Sequence, residues 1–123
     1  MRTILTSLLF LFFITAYAAQ TIHIQVDKTQ SQFQINLPAN RTTGYQWTAL
    51  SYDHSFLRLV TSRYIAPQTK RLGAGGIMRF TFGLIPGKTY PDRTHLIFKY
   101  RRPWESLQSG TLQKVIVQFK APK

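Results

Sequence analysis

Beyond residue 20, apolar and polar residues alternate along most of the chain. Ile22, Ile24 and Val26 fall on one side of segment 21–27, with His23, Gln25 and Asp27 on the other. Segment 31–37 repeats the pattern with Phe33, Ile35 and Leu37. A period of two is what a half-buried strand needs, because successive side chains leave a strand on opposite faces. The same reading predicts strands over 45–50, 57–65, 77–85, 94–100 and 112–119. Leu96, Phe98 and Tyr100 mark the sixth strand, and Val115, Val117 and Phe119 the last. Turn-forming stretches over 38–44, 73–76, 86–92 and 102–110 separate these runs. No window of helical length carries a 3.6-residue apolar stripe. Seven short strands without a strand–helix–strand rhythm predict an all-β fold. The expected architecture is an immunoglobulin-like β-sandwich, with a small barrel as the alternative.

The first twenty residues follow a different pattern. Arg2 precedes an apolar run over 4–14 with Phe10, Phe12 and Phe13 at its centre, and Ala16-Tyr17-Ala18 then has the small-x-small form read by signal peptidase. The run is shorter than the ~20 residues that cross a bilayer, and no basic stop-transfer cluster follows, which disfavours the rival reading as a membrane anchor. The expectation is a signal peptide over 1–18, cleaved before Ala19, and a single domain over 19–123. The product would be exported, either secreted or periplasmic.

Composition narrows the chemistry. Of 123 residues, none is Cys, which excludes disulfides, thiol nucleophiles and Cys-ligated metals together. The four acidic residues, Asp27, Asp53, Asp92 and Glu105, read as turn or strand-end positions and form no catalytic pair. His23, His54 and His95 stand apart, without metal-ligand spacing. No cofactor, no metal and no enzymatic activity are expected. Against these few acids stand 16 Lys and Arg, a net charge of +12, so the protein will be drawn to acidic partners. The basic residues are scattered and make no tail. A polyanion-binding module is therefore a competing reading, with the Arg101-Arg102-Trp104 cluster as its contact and steep salt dependence as its signature.

Three loops carry the specific signals. Asn40-Arg41-Thr42-Thr43-Gly44-Tyr45 precedes Trp47. It reads either as a plain polar turn or as a rigid tip shaped to enter a cleft, since adjacent threonines stiffen the chain between two residues that tolerate positive φ. Gly73-Ala74-Gly75-Gly76 reads as a flexible hairpin connection. With no helix after it and no Lys-Ser/Thr pair, it is not a phosphate cradle. Glycines do allow main chain to lie close on a partner. In Tyr100-Arg101-Arg102-Pro103-Trp104-Glu105, Pro103 stops the strand and projects Trp104 at a loop tip, unless the ring folds back over the core edge. Trp and Arg are enriched in binding hot spots. Trp47 is expected to pack on the core.

In this order and on an all-β chain, the three loops resemble the chagasin-type inhibitors of papain-like cysteine proteases. Tyr45, Trp47 and Thr48 after the first motif, Phe80 and Phe82 after the second, and Tyr100 and Glu105 around the third extend the resemblance. It implies a sandwich with three functional loops side by side at one end, inserted as a wedge into a protease cleft by reversible, non-covalent occlusion. By motif, Thr42, Thr43 and Gly44, flanked by Asn40 and Arg41, would face the catalytic Cys/His pair. Gly73, Gly75 and Gly76 would lie on one wall, and Arg102, Pro103 and Trp104 on the other. The implied partner is a papain-like cysteine protease of the organism itself, a host or a competitor. No specific nucleic acid and no membrane span are expected, and a monomer suits a wedge. One departure stands out: Arg41 occupies the place of the usual proline, which would lower the entropy of ordering the loop.

Overall fold

The computed structural model describes residues 21–68 and 75–121. The expected signal peptide and Gly73 lie outside the described residues. All seven predicted strands are present, their ends displaced by no more than two residues: β1 (Ile22–Asp27), β2 (Gln32–Ala39), β3 (Gln46–Ser51), β4 (Leu57–Ile65), β5 (Gly76–Leu84), β6 (Arg93–Arg101) and β7 (Thr111–Lys120). They form two sheets, β1-β7-β6-β3 and β2-β5-β4, so the fold is a sandwich and not a barrel.

Strands β2, β6 and β7 bury the side that their sequence pattern marks. Phe33, Ile35 and Leu37 of β2 alternate buried with exposed neighbours. Opposite them in the same sheet stand Phe82, Phe80 and Met78. The facing sheet contributes Leu96, Phe98, Val115, Val117 and Phe119, all buried. Phe80 and Phe82 meet Phe98 across the interface at ring separations of 4.8 and 6.2 Å, tilted and edge-on, the geometries aromatic quadrupoles favour. At the lower corner, the Tyr90 hydroxyl donates to the Ile85 carbonyl at 2.8 Å, the corner device of immunoglobulin-like sandwiches.

Two features position the functional end. First, β1 runs parallel to β7, Ile22 opposite Val115, and Lys28 N donates to Lys120 O at 2.9 Å, tying the two ends of the described chain together. Second, the β2–β3, β4–β5 and β6–β7 connections all turn at one end. Ala39 pairs with Gly76 and Ile65 with Ile77 in one sheet, while Gln46 pairs with Arg101 in the other. The Asn40 N–H donates to the Tyr100 hydroxyl at 3.4 Å across the gap between the sheets.

Candidate functional site

The first loop is a single turn of 3₁₀ helix, Arg41–Thr43, where the sequence predicted only a turn. Asn40 caps it: Oδ1 accepts from Thr42 N at 3.0 Å and from Thr42 Oγ1 at 2.6 Å. The Thr43 hydroxyl donates to Asn40 O at 2.9 Å, and Gly44 N donates to Arg41 O at 3.3 Å. The Thr42 and Thr43 hydroxyl protons are thus directed into the loop, and the Thr43 hydroxyl oxygen accepts in turn from Tyr45 N at 3.4 Å. Gly44 closes the turn at φ +78°, a left-handed conformation that disfavours any residue with a Cβ.

The third loop is locked onto the first. Arg102 Nε donates to Thr43 O at 3.0 Å, and its guanidinium lies 4.6 Å from the Tyr45 ring centre. Glu105 stands 3.7 Å from Arg102, and Glu105 Oε1 is buried without a hydrogen-bond partner, so that pairing is purely electrostatic. Trp104 is 74% exposed, at the loop tip. Its six-membered ring edge lies over Gly44, so close that an added Cβ there would stand 2.7 Å from Cη2. The fold-back of Trp104 over the core edge does not occur.

Four residues outside the sequence-predicted site hold this arrangement. Arg101 Nη1 donates to the carbonyls of Arg102, Pro103 and Glu105 at 3.3, 3.3 and 3.1 Å, curling the third loop around itself. Its signal was available, since two adjacent arginines on a strand point opposite ways and cannot share one task. Tyr100 stacks on Trp47 at 4.6 Å and 7°, while Trp47 Nε1 donates to Pro38 O at 2.8 Å. Trp47 therefore packs against the core while bridging the sheets at the loop end. Tyr64 on β4 had no local signal. The Arg41 guanidinium sits 4.2 Å over its ring, and its hydroxyl lies 2.7 Å from where a Gly76 Cβ would be.

Tyr64 therefore joins the first loop to the base of the second. There, Gly75 lies in the connection and Gly76 within β5, where a Cβ would stand 2.2 Å from Ile65 O. Gly76 is fixed by backbone packing.

A family model described as Chagasin family peptidase inhibitor I42 matches residues 27–118, most of the chain and all three loops. The chain belongs to the chagasin family of peptidase inhibitors. As a member of that family it is an inhibitor and not an enzyme. Solved structures share the fold of this chagasin-family protein. The cysteine protease inhibitor EhICP2 from Entamoeba histolytica is 21% identical at a TM-score of 0.58, covering 81% of this chain and 86% of its own. Amebosin in solution is 25% identical at 0.53, with 84% and 90% covered. PbICP-C, solved in complex with falcipain-2, is 19% identical at 0.51, with 82% and 88% covered. A search of curated proteins finds no match. Among the described residues of this inhibitor, no helix is long and apolar enough to cross a membrane.

Proposed function

We propose that this chain is a reversible, non-covalent inhibitor of papain-like cysteine proteases that occludes the active-site cleft with its three loops. The observation carrying the reading is the clamp of Arg102 on Thr43 with Trp104 laid on Gly44, which makes the first and third loops one preformed body. A preformed surface loses little conformational entropy on docking, so an interface of about 800 Å² per partner suffices for tight binding. The neighbour PbICP-C, solved in complex with falcipain-2, supports a protease as the partner. Asn40, Arg41, Thr42, Thr43 and Gly44 would enter the cleft. Gly73, Gly75 and Gly76 would lie along one wall, and Arg102, Pro103 and Trp104 along the other.

The polyanion reading of the Arg101-Arg102-Trp104 cluster is weakened, because Arg101 Nη1 and Arg102 Nε are turned onto loop carbonyls. The signal-peptide pattern of the sequence over 1–18 supports export to the periplasm or the exterior. The test is titration of Ala19–Lys123 against papain with a fluorogenic substrate, at low and high salt. Stoichiometric competitive loss of activity that survives high salt is expected. A folded sample that leaves papain fully active at micromolar concentration overturns the proposal.

A further inference from the structure

The sheet β2-β5-β4 turns one face to the core and the other to solvent, and the outer face has no acidic residue. None of its three strands contains Asp or Glu, whereas Arg58, Arg63 and Arg79 all lie on them. Register places the three together. Along β5, Gly83, Thr81 and Arg79 are flanked by Gln32, Gln34 and Asn36 of β2 on one side and by Arg58, Thr61 and Arg63 of β4 on the other. Arg58 and Arg63 are five positions apart, a spacing that sends side chains to opposite faces of a regular strand. The register shift between Leu59 and Thr61 leaves Val60 as the extra residue and re-phases β4. Leu57, Leu59, Ser62 and Tyr64 then share the inner register with Leu84, Phe82, Phe80 and Met78, and both arginines share the outer one. Arg58 Nε lies 3.3 Å from where a Cβ on Gly83 would stand and Val60 Cγ2 3.1 Å, so the Arg58 and Val60 side chains together cover the sheet at Gly83.

Arg63 and Arg79 are direct cross-strand partners. Like charges so placed repel. Arg79 leans the other way, its Nε donating to Asn36 Oδ1 at 2.9 Å. The carboxylate nearest in sequence, Asp53, is engaged by Ser55 in the turn before β4. The fold thus assembles three cations beside a row of uncharged amides and supplies no counter-charge on the sheet.

We propose that this face binds a linear anionic polysaccharide laid along β5, between β4 and β2. Its sulfate or carboxylate groups would sit on Arg58, Arg63 and Arg79, and its hydroxyls on the amides of Gln32, Gln34 and Asn36. Arg58 and Arg63 are separated by the Arg79–Gly83 interval of β5, about 14 Å at ~3.4 Å per residue, so the face reads anionic groups spaced along an extended chain. Nucleic acid fits less well. The outer register holds no aromatic ring on which a base could stack, and the sheet face projects no helix or ribbon that could enter a groove. Amides and the exposed Thr61 hydroxyl match sugar hydroxyls, being donors and acceptors at once. The face lies on the side of the sandwich and the loops at its end, so a protease and the polysaccharide can be held together.

The test uses fluorescein-labelled heparin and anisotropy at physiological ionic strength, with labelled polyuridylate as the comparator. Two triple variants of equal charge are compared: Arg58→Gln/Arg63→Gln/Arg79→Gln on this face, and Arg93→Gln/Lys114→Gln/Lys120→Gln on the other sheet. The expected result is at least a roughly ten-fold greater loss of heparin affinity from the first, with the salt slope falling by about one unit per arginine removed. Equal losses in the two variants, or no heparin binding by the wild type, overturn the proposal. Polyuridylate binding as tight as heparin, with the same arginine dependence, overturns the polysaccharide assignment. The first variant should also melt no lower than wild type, because the Arg63–Arg79 repulsion is gone. Marked destabilisation overturns the reading of those residues as an unneutralised pair.

Discussion

Replacing Gly44 with alanine perturbs two things at once, and the structure sizes each. The backbone at φ +78° costs a residue with a Cβ about 1 kcal/mol, which lowers the melting temperature of a domain this small by about 4–8 °C. The new methyl would also stand 2.7 Å from Trp104 Cη2. That atom is the far end of a side chain 74% exposed, so the ring swings away and the fold survives. If Trp104 is a binding hot spot, displacing it should cost about as much as Trp104→Ala, about 2 kcal/mol or a roughly thirty-fold rise in Ki. The assay is Ki against papain for wild type, Gly44→Ala, Trp104→Ala and the double variant. The share of the glycine's effect that runs through the ring disappears once Trp104 is gone, so the two penalties should sum to less than their separate values. A Gly44→Ala protein with wild-type Ki, or one whose penalty persists in full on the Trp104→Ala background, refutes the reasoning.

Gly76→Ala forces a methyl to within 2.2 Å of the Ile65 carbonyl, in backbone that cannot yield cheaply; a loss of about 3 kcal/mol in urea unfolding is expected, and a wild-type midpoint contradicts it. Arg41→Pro suits the first position of the 3₁₀ turn but removes the contact with Tyr64, so the two effects should nearly cancel, leaving stability within about 0.5 kcal/mol of wild type. Arg41→Ala, which loses the contact and gains no rigidity, should melt below both. Asp27 is held below the usual carboxylate range by the backbone N–H and the hydroxyl of Thr29, and Asp53 by the hydroxyl and the backbone N–H of Ser55. Because both bind protons less readily folded than unfolded, they favour the fold at neutral pH, and that contribution fades as pH drops below about 4. Thermal melts should therefore be level from neutral to mildly acidic pH and decline below it, less steeply in an Asp53→Ala variant.

Strand positions were legible because each strand carries its own instruction: the alternation of Phe33, Ile35 and Leu37 requires no knowledge of what covers them. Which strand pairs with which was not legible, since the parallel match of Ile22 with Val115 joins segments some ninety residues apart and leaves no local trace. Bulges were equally hidden. Nothing around Val60 announces an extra residue, so the side to which Arg58 and Arg63 point emerges only from the register. At the loops, the tip residues Thr42, Thr43, Gly44 and Trp104 were legible through their types and order. The residues that hold those tips were less legible: Tyr64 and Tyr100 act through contacts across the fold, while Arg101 bonds only within its own loop and was marked by its adjacency to Arg102. Arg102 was named for a wall of the cleft, yet it also clamps Thr43, which no spacing along the chain could reveal.

The irregularity in β4 has a counterpart in β3, where the pairing with β6 shifts between Ala49 and Ser51. Both are border strands of their sheets, lying outermost in the orders β1-β7-β6-β3 and β2-β5-β4. A second copy docking edge-on would need an unbroken row of main-chain donors and acceptors, and at Leu50 and Val60 that row falls out of step. The β2 border offers Pro38, which has no N–H to give. Three of the four borders thus resist fibril-like growth, in a protein whose like-charged copies already repel one another. A sandwich that presents one end to its target is kept from presenting its sides to itself.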